Sequence, residues 1–178
     1  KNLHLGELQK ILQQKGVPFS GSDQKGCMNT WNKNTCKNLL KKNNIPTPKW
    51  INVSSLTEMQ RNLEDDFFDL LRPFKDLFLK PAEDGSSIDV FKISNNKDLE
   101  LAIESCINSS RAFIFEENVD FKELTVPILN GRCLPAVEIR TSESFYNFNA
   151  KYVNKDTQLL EFILPNDKKN ELEEICLK

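Results

Sequence analysis

The run Lys80-Pro81-Ala82-Glu83-Asp84-Gly85-Ser86-Ser87 sets a lysine before a loop that holds one glycine and two adjacent hydroxyls. Such a loop can wrap phosphates: Gly85 lets the backbone come close, the amides and hydroxyls of Ser86 and Ser87 donate, and Lys80 supplies charge. A polar hairpin turn with a solvated lysine has the same composition, because Gly-Ser turns are common. The spacing matches neither a Walker loop nor a dinucleotide fingerprint, so neither of those nucleotide folds is supported.

Two further segments carry polar groups that suit a nucleotide. Phe115-Glu116-Glu117-Asn118-Val119, with Glu123 after it, places carboxylates and backbone where they could meet an adenine edge and a ribose. Adenine pairs an amino donor with a ring-nitrogen acceptor, so a carboxylate or carbonyl beside an amide reads it, and a second carboxylate takes ribose hydroxyls. A solvated acidic connection would look alike. In Phe145-Tyr146-Asn147-Phe148-Asn149-Ala150-Lys151-Tyr152, Lys151 could meet a terminal phosphate as a mobile charge and Tyr152 could orient a substrate through its hydroxyl. The alternative there is an aromatic strand packed on a sheet. Lys33 is a further candidate phosphate contact, although its companion Lys37 one turn on suggests that both lie on the ordinary solvated face of the helix. His4 is the single histidine and is assigned a structural role.

The elements that must position these groups follow from periodicity. Leu5, Leu8, Ile11 and Leu12 before Gly16 predict a short amphipathic helix, and Trp31, Cys36, Leu39 and Leu40 predict a second one ended at Asn43-Asn44. A strand is predicted over Trp50 to Val53. The capping-box spacing Ser55-Leu56-Thr57-Glu58 predicts a helix through Met59 and Leu63. Leu77 to Pro81 and Ile88 to Ile93 predict a hairpin around the 82–87 loop, and Leu99, Ala102, Ile103 and Cys106 a helix over 96–108. Phe113-Ile114-Phe115 reads as a strand. Strands from Leu124 to Leu129 and from Cys133 to Ile139 flank Asn130-Gly131, a dipeptide that accepts the positive φ of a tight hairpin. The order is an α+β pattern with no regular βαβ repeat.

Composition narrows the class. The 178 residues are 39% hydrophobic and 28% charged, the balance of a globular domain, and 24 Lys and Arg against 26 Asp and Glu leave a net charge of -2 with no basic field for a nucleic acid. Cys27, Cys36, Cys106, Cys133 and Cys176 are odd in number and widely spaced, which predicts reduced thiols in a cytosol-like compartment. No apolar run reaches the roughly 20 residues of a membrane span and no secretory signal is present, so a soluble cytoplasmic protein is expected. The chain starts at Lys1 and stops after the amphipathic run 170–176, so both ends read as cut.

Together, the order and separation of these motifs resemble the D-alanine-D-alanine ligase family of ATP-grasp enzymes over nearly the whole chain. The matching pieces are Val17 to Ser22, the helix lysine Lys33, Asn44-Ile45-Pro46-Thr47-Pro48, Lys80-Pro81 and Gly85-Ser86-Ser87. Glu116 to Val119, Glu123-Leu124-Thr125-Val126 and Phe145 to Tyr152 continue the likeness. The resemblance implies an incomplete ATP-grasp fold: residues 1–30 ending a preceding α/β domain, 31–114 forming the small lobe and 115–178 opening the large lobe. It also implies an activity, the joining of two D-alanines through an acyl phosphate made from ATP for peptidoglycan precursors. The alternative it leaves is a degenerate or truncated nucleotide-binding module without ligase activity.

By the match, Lys33 and Lys80 contact the ATP phosphates with Ser86 and Ser87, Glu116, Glu117 and Val119 the adenine, Glu123 the ribose and Lys151 the transferred phosphate. Ser86, Lys151 and Tyr152 form the catalytic set. ATP and Mg2+ are the implied cofactors, and the family's metal-binding Asp, Glu and Asn are expected beyond Lys178. D-alanine and ATP are the implied small-molecule partners, with no nucleic acid and no membrane, and a homodimer is the family's common assembly. The chain departs from the family's pattern at Asp89 and Phe121, each in place of a glycine, at Asn147 and Asn149, each in place of an acid, and in the loop after His4.

Overall fold

A computed structural model describes residues 6–57, 76–119 and 122–178 of the chain. His4, Leu5, Phe121 and the helix expected through Met59 and Leu63 lie outside the described residues, although Leu56 and Thr57 are already helical. Two compact units divide the chain: the first holds the residues up to Gly85 and Asp89–Asn118, the second Ser86–Ile88 and Val119–Lys178.

In the first unit, α1 (Glu7–Gln14) ends where Gly16, at φ 63°, lets the Val17 amide turn back onto the Leu12 carbonyl at 2.9 Å. The single second helix expected around Trp31 is two helices, α2 (Gln24–Trp31) and α3 (Lys33–Lys42). Asn32 causes the break: it is extended, and its side-chain oxygen accepts from the Thr35 amide at 3.0 Å, capping α3. Asn44, at φ 55°, plays at the end of α3 the part a glycine usually takes, with the Ile45 amide on the Leu40 carbonyl at 2.9 Å.

β1 (Trp50–Val53), β2 (Leu77–Pro81), β3 (Phe91–Ile93) and β4 (Phe113–Glu117) form an antiparallel sheet in the order β1-β4-β2-β3. Registers such as Ile51↔Phe115↔Leu79 and Val53↔Phe113↔Pro81 place these residues on one face. Against that face packs α4 (Asn96–Cys106) through Leu99, Ala102 and Cys106. Leu79, Phe113 and Phe115 are almost wholly buried there, and each such side chain contributes about 1.5–3 kcal/mol by leaving water. The opposite face carries Trp50, Glu116, Phe78 and Lys80, because a strand alternates its side chains. The strand expected from Ile88 starts only at Phe91, since residues 86–89 are a turn.

In the second unit, β5 (Glu123–Thr125), β8 (Val137–Arg140) and β9 (Gln158–Glu161) form an antiparallel sheet in the order β5-β8-β9. The long hairpin expected between Leu124 and Ile139 is split, with β6 (Ile128–Leu129) and β7 (Arg132–Cys133) pairing separately at its tip. Pro127 and Pro135 sit at the two breaks, and a proline cannot donate to a ladder. Asn130 and Gly131 make the tip at φ 50° and 70°, as expected of Asn-Gly. The aromatic segment is not a strand: Asn147 caps a short helix, α5 (Phe148–Tyr152), by accepting from the Ala150 amide at 2.9 Å. β9 was not foreseen, and the run at the chain's end is α6 (Asn166–Leu177). All five cysteines are free of disulfides.

Candidate functional site

The polar face of the first sheet gathers Lys33, Lys37, Lys80 and Glu116. Glu116 lies midway across that sheet, opposite Trp50 on one side and Phe78 on the other. One of its carboxylate oxygens accepts from Lys80, and the other pairs with Lys37 at 2.7 Å. Burial pushes this carboxyl up, but the two ammonium groups outweigh burial and hold it below the usual carboxylate range. Lys80 also lies over the Phe78 ring, its nitrogen 5.0 Å from the centroid.

Lys37 is the clearest correction to the sequence reading. Expected on a solvated face, it is buried, donating to the Thr47 hydroxyl at 2.7 Å and lying 5.2 Å from the centre of the Trp50 ring. Its four-residue spacing from Lys33 was the available signal that both side chains share the helix face turned to the sheet.

Lys33 reaches the base of the 82–90 loop, donating to the carbonyls of Pro81 and Asp84 at 2.8 Å each. Its own amide donates to the Ala82 carbonyl at 2.7 Å, and the Asn32 side chain to Glu83 at 3.2 Å, so the start of α3 is fastened to this segment. Burial first, and the neighbouring Lys80 second, pull the Lys33 ammonium below its ordinary range. An ammonium has three donors, so the two carbonyls do not exhaust it.

Within the loop, the positive φ values fall on Asp84, Ser86, Ser87 and Asp89 and not on Gly85. The sequence reading gave the close-approach role to the glycine, yet the serines hold the left-handed backbone, at roughly 1–3 kcal/mol each. Such strain marks a loop whose geometry is imposed by its surroundings. Asp89, the residue in place of a glycine, is paired to Arg111 together with Asp84. Nothing in the sequence spacing had singled out Arg111.

The second unit brings together four other expected residues. Lys151, on α5, donates to the Ser87 hydroxyl at 2.8 Å and lies 5.0 Å from the centre of the Tyr146 ring. Ser87 donates to the Tyr146 carbonyl at 3.0 Å, and the Ser86 and Tyr152 hydroxyls share a hydrogen bond of 2.9 Å. Glu143 accepts from the side chains of Asn147 and Asn154 at 3.2 and 2.7 Å, which fixes both ends of the turn that carries Lys151.

The remaining candidates lie on the connection after β4. Glu117 ends β4, with its carboxylate 3.4 Å from the Lys49 amide, and the Asn118 amide donates to the Asp76 carbonyl at 2.9 Å. Val119 is 41% exposed, and Glu123 opens β5 opposite Ile139. Ammonium groups and hydroxyls of this kind suit an anionic phosphate ligand. Among the described residues no group of three or more His, Cys, Asp or Glu could hold a metal ion, and no helix is long and apolar enough to cross a membrane.

Comparison with known proteins places the chain in a family. A family model described as D-ala D-ala ligase C-terminus matches residues 39–178. D-alanine–D-alanine ligase B of Clostridium perfringens is 30% identical over 173 residues, 97% of this chain and 55% of its own length. The D-alanine–D-alanine ligase of Idiomarina loihiensis is 33% identical over 153 residues, 86% of this chain and 48% of its own. The crystal structure of D-alanine–D-alanine ligase from Bacillus anthracis superposes with a TM-score of 0.77 at 28% identity, covering 98% of this chain and 55% of that one. The chain thus spans about half the length of the curated relatives it matches. On the family match and the shared architecture, the chain belongs to the D-alanine–D-alanine ligase family and carries its ATP-grasp fold over the part that it spans.

Proposed function

We propose that this chain takes part in the ATP-dependent joining of two D-alanines into the dipeptide used for peptidoglycan precursors. One observation carries the reading: each lysine matched to a nucleotide lysine of the family is held by a fixed partner. Lys33 is held by two loop carbonyls, Lys80 by Glu116 and Lys151 by Ser87. Phosphoryl transfer relies on positioned charge more than on covalent help, so cations already fixed in place are what it needs.

In this reading Lys33, Lys80, Ser86 and Ser87 take ATP phosphate oxygens and Lys151 the phosphoryl group that moves. Glu116, Glu117 and Val119 contact the adenine, Glu123 contacts the ribose, and Ser86 and Tyr152 orient the D-alanine substrate. Residues 31–114 correspond to the small lobe and 115–178 to the start of the large one. Mg2+ would neutralise phosphate charge, but the described residues do not fit a metal site of their own. Cytoplasmic placement and a homodimer accompany the reading.

The test is ADP release by the intact gene product, with the dipeptide identified by mass spectrometry. ADP release that requires D-alanine and yields the dipeptide is expected. Saturable ATP binding with no D-alanine-dependent ADP would replace the ligase reading with that of a nucleotide-binding module.

A further inference from the structure

The 82–90 loop is also gripped by Arg111, a residue outside the family's motifs. Arg111 stands just before β4. Its Nη1 donates to an Asp84 carboxylate oxygen at 2.9 Å, its Nη2 to Asp89, and its Nε to the Ser109 hydroxyl at 2.9 Å. The guanidinium carbon lies 5.6 Å from the centre of the Phe113 ring, a residue of the buried core. One rigid fork therefore ties both stems of the loop, Asp84 before its tip and Asp89 after it, to a fixed element.

Both stem residues have left-handed backbone, φ 86° at Asp84 and 53° at Asp89, a conformation that Asp enters more readily than most residues but still at a cost that outside contacts offset. The carboxylates are 41% and 40% exposed, so without the arginine two negative charges would flank a loop read as taking phosphate. Removing the guanidinium changes two things at once: it releases the stems, and it leaves the Asp89 charge without its partner and the Asp84 charge with only Lys33 near it.

We infer that Arg111 is a positioning residue for this loop, holding its stems in place and cancelling the Asp84 and Asp89 charges so that an anion can approach the tip. The second half of this rests on the reading of the loop as an ATP-phosphate site. The first half does not, and the two are separable by experiment.

Backbone 15N relaxation on the wild-type chain and on Arg111→Met reads the first half. The order parameters of residues 84–89 are expected to fall from about 0.85 to below about 0.6 in the variant, and Arg111→Lys, which keeps the charge without the fork, falls between. Unchanged order parameters in a variant that still shows a folded spectrum overturn the inference, whether or not ATP binds.

ATP affinity reads the second half. Arg111→Met is expected to weaken ATP roughly tenfold, and Asp89→Asn in the Arg111→Met background to recover most of it, since Asn tolerates the left-handed backbone and carries no charge. An affinity that Arg111→Met leaves unchanged, or that Asp89→Asn fails to restore, overturns charge cancellation. A wild-type chain that binds no ATP removes the nucleotide reading, and loop order alone then decides the inference.

Discussion

Replacing Lys37 by methionine tests whether the buried face of the first sheet is organised by charge pairing. Lys37 and Glu116 have side chains only 7% and 15% exposed, with 2.7 Å between ammonium and carboxylate. Methionine keeps most of the apolar stem, so the loss is the charge and its bonds. Breaking one side of a buried pair costs about 3–5 kcal/mol, because it leaves the partner charge desolvated. Here Lys80 still pairs with Glu116, which puts the ion-pair loss at the low end. The lost hydrogen bond to Thr47 adds about 1 kcal/mol and the Trp50 contact a few tenths more. A total near 4 kcal/mol is a large part of the 5–15 kcal/mol that a domain typically has, and corresponds to a melting temperature lower by about 10 °C. Urea and thermal melts followed by tryptophan fluorescence measure it, Trp50 being adjacent. The control is Lys168→Met, whose 2.8 Å pair with Glu171 is 60% and 58% exposed and screened by solvent, so that its loss should leave the midpoint almost unmoved. If Lys37→Met shifts the midpoint no more than Lys168→Met does, Lys37 is not a buried partner of Glu116.

Four other outcomes follow from the same geometry. Because Lys80 and Lys37 hold the Glu116 pKa below its unfolded value of about 4.3, against the upward push of burial, this carboxylate adds stability above that pH and loses it as pH falls through the folded-state pKa. Urea midpoints between pH 6 and pH 3 should therefore fall less in Glu116→Gln than in wild type. Leu79→Ala, at a position with no exposure in the core, should cost about 2–5 kcal/mol in the same denaturation assay. Asn147→Ala removes the cap of α5 and should cost about 1 kcal/mol, read by chemical denaturation. Tyr152→Phe removes a hydroxyl from a residue that is 62% exposed, so stability should change by less than about 0.5 kcal/mol, while D-alanine-dependent ADP release falls at least about tenfold.

The sequence was most readable where a local rule and a tertiary need agree. The Asn130-Gly131 turn, the Leu99, Ala102 and Cys106 stripe and the strand Leu77–Pro81 stand where periodicity and turn chemistry put them. It was least readable where a distant partner reverses a local preference. The four-residue spacing puts Lys37 on the helix face of Lys33, but no local rule says that this face is buried; Glu116, brought over it by the β1–β4–β2 register, supplies the charge that makes burial favourable. The same holds for Arg111, whose carboxylate partners lie 27 and 22 residues away in sequence. In the loop, the presence of Gly85 suggested where backbone freedom was needed, while the left-handed residues are those the ion pairs and serine bonds restrain. The grouping of Ser86, Ser87, Lys151 and Tyr152 followed from the family resemblance and not from spacing, since hydrogen bonds across 64 and 66 residues leave no periodic trace.

The most direct test of the account is a calorimetric titration of ATP with Mg2+ into the wild-type chain and into Lys80→Ala. Saturable binding by the wild type, weakened at least about tenfold by the substitution in a chain that remains folded, is the predicted result. Equal affinity in the two chains, or none in either, would contradict the assignment of Lys80 to a nucleotide phosphate.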